Sequence, residues 1–398
     1  MADAPPDQLV QALDAALTQL DAELIDVRRD LHANPELSWS EERTTALVGK
    51  RLADAGIRSR PLPSTGLVAE IGPETGPTVV LRADLDALPV DDSTDDPWHS
   101  TVPGVAHACG HDVHTTALLG AGLALASIAD RLPGRVRLVF QPAEEIMPGG
   151  ALMAIGDGVL DDASSIFMLH CDPTVDVGSI GLREGPVTGA ADAIDVRLTG
   201  PGGHTSRPHL TQDLTFALGK LVTELPAALS RRLDPRAGAS VVWGVVRAGA
   251  AKNVIPATGH AGGTIRMLDA VAWADAESIV REIVHQILAP YGVEADVVYV
   301  RGVPPVVNEP RATALLSRVA ADLLGPDGVQ STQQSLGGED FAWYLERVPG
   351  AMARLGTRTP GGPTYDLHQG DLRIDERAVG LGARLLARAA AAAMVTDR

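Results

Sequence analysis

The chain has 398 residues and a formal charge of −18, from 51 acidic and 33 basic side chains. That sign repels phosphate backbones and anionic headgroups, so nucleic acid and membranes are excluded as general partners. Two domains are the natural expectation at this length, the 45% apolar content supplies a core, and two cysteines are too few for a disulfide framework, which points to a reducing, cytoplasmic setting. The polar start MADAPPDQ carries neither the basic nor the apolar stretch of a secretory leader. No apolar run reaches the roughly 18 to 20 residues of a membrane span. Leu13, Leu17, Leu20, Leu24 and Leu31 recur at helical steps within residues 7–33. Three apolar strands follow, TVVLRADLD (78–86), RVRLVFQPAEE (135–145) and SSIFMLHCD (164–172), each stopping at polar residues. Between the first two, residues 112–132 read as a buried helix. Strands alternating with helices predict an α/β sheet with helices on its faces.

The middle of the chain changes pattern. Strand 192–200, helix 210–225, strands 240–249 and 260–268, helix 275–288 and strand 294–300 follow in the order β-α-β-β-α-β, the ferredoxin-like unit. The α/β pattern resumes with a helix at 312–325. The expected fold class is therefore α/β: a mixed-sheet domain with helices on both faces, in two parts (1–187 and 303–398), around an inserted ferredoxin-like α+β domain (188–302).

HACGHDVHTT (107–116) concentrates one cysteine and three histidines just before the buried helix. There is no second CxxC or HxxxH element for a structural zinc knot, and no CxxC pair for thiol redox chemistry. Alone, the stretch fits a metal site or a buried segment opening a helix. The strand ends add weight to the first. Asp84 and Asp86 close one strand, Glu144 and Glu145 another and His170 a third, and in open α/β sheets such ends converge on the site. Adjacent carboxylates can divide their labour, one binding a cation and the other accepting a proton from activated water. Asp86 suits a supporting role, since ligating imidazoles donate their other N–H to a carboxylate. His204 by itself reads as a turn or cap residue, and Arg266 as a salt-bridged strand residue. His107 and His114 read as positioning or helix-start residues, His32 as a helix-end cation without assigned chemistry, and Cys171 as a small buried hydrophobe.

In this order, ADLDALP, HACGHDVHT, FQPAEE, MLH, GGHTSRPH, KNVIP, GTIR, GGEDFAWY and YDLHQGDLRID resemble the M20 metallopeptidase family, closest to its amidohydrolase branch of aminoacylases, hippurate hydrolases and auxin-conjugate hydrolases. The resemblance runs from about residue 25 to about residue 385. It implies two divalent metal ions per subunit, zinc or manganese with nickel and cobalt as alternatives, and a lid domain that also forms a homodimer. Cys109, His111, Glu145, His170 and His368 would be ligands, with the Cys109 thiolate bridging the ions. Glu144 matches the general base and Asp86 the acid that supports the centre. His204 would reach the partner's site and stabilise the oxyanion, while Asn253 and Arg266 match lid residues that hold a substrate carboxylate. Glu339 and Asp340 match a loop near the site.

Two departures bear on the pocket. Gln369-Gly370 replaces the family's usual Ser-Pro after the last ligand, and Thr205-Ser206-Arg207 makes the lid edge more polar. The expected reaction is hydrolysis of an N-acyl amino acid or related small amide by a metal-bound hydroxide. The competing readings are a dipeptidase or exopeptidase on the same scaffold, and a non-catalytic metal-binding protein, against which an intact Glu144 argues. No GxSxG, HExxH or GxxxxGK[ST] motif supports another hydrolase chemistry.

Overall fold

Four parallel strands, Arg135–Gln141, Thr78–Asp84, Ala163–Asp176 and Gly350–Arg358, lie side by side in that order at the centre of an eight-stranded mixed sheet. A computed structural model describes residues 7–396 of the chain; the first six residues of the start read above for a leader lie outside that range. The outer strands are Ser59–Pro61 and Leu67–Ile71 on one side, Ile180–Leu182 and Val329–Ser331 on the other. All seven residues of Thr78–Asp84 are buried, as expected of a central parallel strand covered on both faces. The third strand does not stop at His170. It runs on to Asp176 because Gly350–Arg358 continues to pair with it beyond the point where Thr78–Asp84 has ended. His170 is therefore inside a strand, close to the level at which its neighbour ends.

The sheet packs against helix His111–Ala126, over which lies Asp7–Ala33 with its buried Leu13, Leu17, Leu24 and Leu31, and against helix Arg377–Thr396. The last of these corrects the sequence reading. Arg377–Val395 is long and apolar enough by length and composition to cross a membrane, yet most of it is buried in this core against the other two helices. Its alanines allow that close approach.

The described residues form two compact units. The first, called the catalytic unit after the expectation above, comprises residues 7–187, Val307–Gln333 and residues 340–396; the second, the lid unit, comprises Thr188–Val306 and Gln334–Glu339. The lid unit has a four-stranded antiparallel sheet in the order Ser240–Ala248, Thr258–Met267, Ala190–Thr199, Glu294–Val303, with helices Leu214–Arg232 and Ala270–Leu288 packed on it. This is the ferredoxin-like connectivity. The first of these helices starts at an Asp213 cap, whose carboxylate accepts from Phe216 N–H, and continues past Pro226. Proline removes the N–H that would bond the carbonyl four residues back. Here the Trp243 indole N–H donates to that carbonyl, Val222, at 3.1 Å, so the helix survives.

Candidate functional site

The groups at the strand ends of the catalytic unit meet at the start of helix His111–Ala126. Gly110 precedes it with φ +85°, and a Cβ added there would stand 2.8 Å from the Cys171 sulfur. Only glycine allows this turn, which leads directly from Cys109 into His111. His111 Nδ1 donates to the Asp86 carbonyl at 2.9 Å, and His170 Nδ1 donates to the Cys171 carbonyl at 2.8 Å. Both rings are thereby held with an Nε2 lone pair available. The ligand atoms of Cys109, His111 and His170 lie within 4.8 Å of one another, and so do those of Cys109, Glu145 and His368. The two groups share the Cys109 sulfur.

Polar satisfaction tests whether a metal fits. His111 Nε2 and Glu145 Oε1 are buried without a hydrogen-bond partner, 3.8 Å apart. His368 Nε2 lies 3.5 Å from the same Glu145 oxygen, with its residue in the left-handed region at φ +62°. Buried lone pairs facing each other are costly unless a cation stands among them. A set of one thiol, three imidazoles and a carboxylate is the donor chemistry of a divalent transition metal. Electrostatics agree. Burial pushes the Cys109 thiol well up, and Glu145 adds to it. Burial also raises the Glu145 carboxyl, though His111 and His368 oppose the rise. Burial opposes charge on His111, yet Asp84, Cys109 and Asp86 outweigh it and pull its pKa well up. The site is an anionic pocket that wants positive charge.

Glu144 stands beside this set, its Oε2 4.0 Å from His111 Nε2 and its side chain 9% exposed. Asp86 supports the centre from behind: besides its carbonyl bond to His111, its Oδ2 accepts from the Glu145 N–H at 2.9 Å and the Ser38 hydroxyl at 2.6 Å. His114 is a positioning residue, bonded through Nδ1 to Asp84 at 2.6 Å and accepting the Cys171 N–H at Nε2. His107 is buried without a partner, and burial lowers its pKa to about 4. Cys171 is fully buried in the apolar core.

Several residues of this environment were given no chemistry from the sequence. His32, left without chemistry above, donates from Nδ1 to Asp112 at 2.8 Å, and Arg28 Nε pairs with the same carboxylate at 2.8 Å, just behind His111. Fully buried Arg82 pairs with Asp84 at 2.7 Å and Asp340 at 2.6 Å, which places Asp340 of the GGEDF loop under the strand ends. An arginine inside an apolar strand was the available clue, since a buried guanidinium needs carboxylate partners.

The remaining candidates lie in the lid unit. His204 and Val254 pair across a two-residue ribbon, and the neighbouring Asn253 carbonyl accepts from Thr205 N–H at 3.3 Å. His204 is exposed, and its Nδ1 accepts the Ser206 N–H at 3.0 Å, so the neutral ring carries its proton on Nε2. Arg266 sits apart from this ribbon, on strand Thr258–Met267, half-buried; burial lowers its pKa, and its Nη1 donates to the Leu336 carbonyl at 3.2 Å.

Comparison with known proteins matches residues 80–392 to the model of peptidase family M20/M25/M40. The chain is 39% identical over 367 residues to the N-acetyl-L-cysteine deacetylase of Bacillus subtilis, covering 91% of this chain and 86% of that one. It is 50% identical over 371 residues, 93% of its own length, to a putative glutamate–cysteine ligase of Rhodococcus jostii, but spans only 46% of that longer protein. A solved Bacillus subtilis structure, a dinuclear metal-binding peptidase from the M20 family, superposes with a TM-score of 0.82 at 34% identity, covering 95% of this chain and 99% of that one.

Proposed function

The chain belongs to peptidase family M20/M25/M40, and from that membership we propose that it is a metal-dependent amidohydrolase cleaving N-acyl amino acids or related small amides to a carboxylate and a free amine. The observation that carries this reading is the pair of buried Nε2 lone pairs and the Glu145 oxygen gathered around Cys109, with a second carboxylate, Glu144, beside them. Cys109, His111, Glu145, His170 and His368 would hold two divalent ions, zinc or manganese, with nickel and cobalt as alternatives. Such ions polarise an amide carbonyl and bring the pKa of water from about 15.7 to about 7.

The chain's own residues divide the rest of the work. Glu144 takes the proton of the attacking water and returns it to the departing nitrogen, a transfer worth about 10²- to 10⁴-fold in rate. Asp86 holds the His111 ring and the Glu145 backbone in register. His204 offers its Nε2–H to the oxyanion, because Ser206 occupies Nδ1. We assign that donation to the partner subunit's reaction. Asn253 and Arg266 take the substrate's carboxylate. A homodimer through the lid is supported by strand Ser240–Ala248, which lies at the sheet's edge with Val242 59% and Val246 51% exposed. Two free, buried cysteines suit a reducing cytoplasm.

The acyl-amino-acid substrate is supported by the Bacillus deacetylase; the solved M20 peptidase supports a peptidase as the second reading, for which dipeptides are the simplest probe. Turnover of N-acetyl, N-benzoyl and longer N-acyl amino acids beside dipeptides, by protein loaded separately with zinc, manganese and nickel, decides between them. Glu144→Gln keeps its metal and loses at least about 10²-fold in kcat. Wild-type turnover in that variant refutes the assignment of the base, and hydrolysis of dipeptides alone refutes the acyl-amino-acid reading.

A further inference from the structure

Among the described residues only four non-glycine residues have positive φ: Trp39, Ala143, Asp162 and His368. Two of these are held by one atom. Glu41 Oε1 accepts the Trp39 N–H at 3.0 Å and the Ala143 N–H at 2.8 Å, the second across 102 positions of sequence. Its other oxygen accepts the Thr65 hydroxyl, and Glu41 itself is fully buried. The position of Glu41 makes this unusual. It immediately precedes helix Glu42–Asp54, where a side chain ordinarily caps the first amides, yet it makes no capping bond and turns inward.

Ala143 is the residue before Glu144. Left-handed backbone is unfavourable for a residue with a Cβ and persists only where surroundings enforce it. The Glu41 carboxylate supplies that enforcement on one side, while the Ala143 carbonyl accepts Gly150 N–H at 2.9 Å on the other. The next amide but one, Glu145 N–H, is taken by Asp86, whose carboxylate also holds Ser38. Glu144 thus stands between two backbone amides clamped by buried carboxylates, and both clamps are tied to the short segment Ser38–Glu41. From this geometry we propose that Glu41 is a positioning residue for the hydrolysis: it locks the left-handed turn at Ala143 and so aims the Glu144 carboxylate. The inference rests on Glu144 being the proton carrier.

A double-mutant cycle tests it, with kcat, KM and bound metal measured in each variant. Glu41→Ala loses about tenfold or more in kcat, the scale of a misaimed group, with KM and two bound ions per chain retained. Glu41→Gln, which keeps an acceptor oxygen for both amides, recovers most of that loss. The double variant with Glu144→Gln is no slower than Glu144→Gln alone, since residues acting as one unit are not additive. Wild-type kcat in Glu41→Ala overturns the proposal, as does a loss that multiplies fully with that of Glu144→Gln. If Glu41→Ala does not fold, Thr65→Val, which removes only the hydroxyl donor to the other oxygen, takes its place in the cycle; an unchanged kcat there overturns the proposal. Wild-type turnover in Glu144→Gln alone is a separate result: it removes the base assignment on which the inference stands.

Discussion

The catalytic unit and the lid unit hold their candidate residues in opposite ways. Around Cys109 each of the other candidate ligands, or its backbone, is tied to buried groups: His111 to Asp86, His170 to Cys171, Glu145 to Asp86, and the His368 amide to the Ala108 carbonyl. In the lid, His204 is exposed on a two-residue ribbon and is oriented only by its neighbour Ser206. Metal coordination demands donors fixed to fractions of an ångström, which a packed set of strand ends provides. Oxyanion stabilisation by a donor from outside needs the correct tautomer on a segment free to approach. The difference suits the roles proposed above, a fixed metal centre in one unit and an exposed donor in the other.

Loss of the shared sulfur breaks the first half of that comparison most severely. Cys109→Ala removes a donor common to both ligand groups; metal content measured by mass spectrometry falls below two ions per chain and turnover disappears. Full metal content in this variant would remove Cys109 from the centre. Next is the buried support beneath the strand ends. Asp340→Ala removes a buried carboxylate partner of Arg82 and deprives Gln141 and the Ala151 amide of an acceptor. Breaking such a buried pair costs about 3–5 kcal/mol, read as a lower midpoint in denaturant unfolding. An unchanged midpoint would show that the arginine is satisfied without it.

The lid variants act on rate and leave metal content alone. His204→Ala lowers kcat by about 10²-fold, the usual effect of losing one oxyanion donor. Mixed dimers with a Glu144→Gln chain then regain activity if the donor acts across the interface, and stay inactive if it acts within its own subunit. Ser206→Ala has the smallest effect, about tenfold or less, because it removes the hydroxyl but keeps the backbone N–H to Nδ1. A larger loss would show that the hydroxyl, more than the amide, sets the tautomer.

What could be read from sequence follows from the same physics. Asp86, Glu144, Glu145, His111 and Cys109 were legible because their signals are local: polar groups interrupting apolar runs at strand ends, and histidines before a buried helix. The ferredoxin-like order was legible for a like reason, as alternation and helical period are nearest-neighbour patterns. Glu41 was not, because an acidic residue in a polar stretch reads as solvated until the fold brings Ala143 to it. Ser38, His32 and Arg28 were hidden in the same way, each acting on a partner at least 48 positions distant. The extent of strand Ala163–Asp176 was missed because pairing with Gly350–Arg358, close to 200 residues later, decides where it ends. The helix through Pro226 was missed because its rescue comes from an indole on a different strand.

The burial of helix Arg377–Thr396 against Asp7–Ala33 and His111–Ala126 has a consequence for synthesis. A chain leaving the ribosome exposes its earliest helix long before the helix that must cover it. Almost all of the lid unit, Thr188–Val306, is by then available and can fold as its own unit. The catalytic unit must wait with an open apolar face until its final twenty-residue helix emerges. That interval is when this protein most needs protection from aggregation, and truncation within the helix should trap it there.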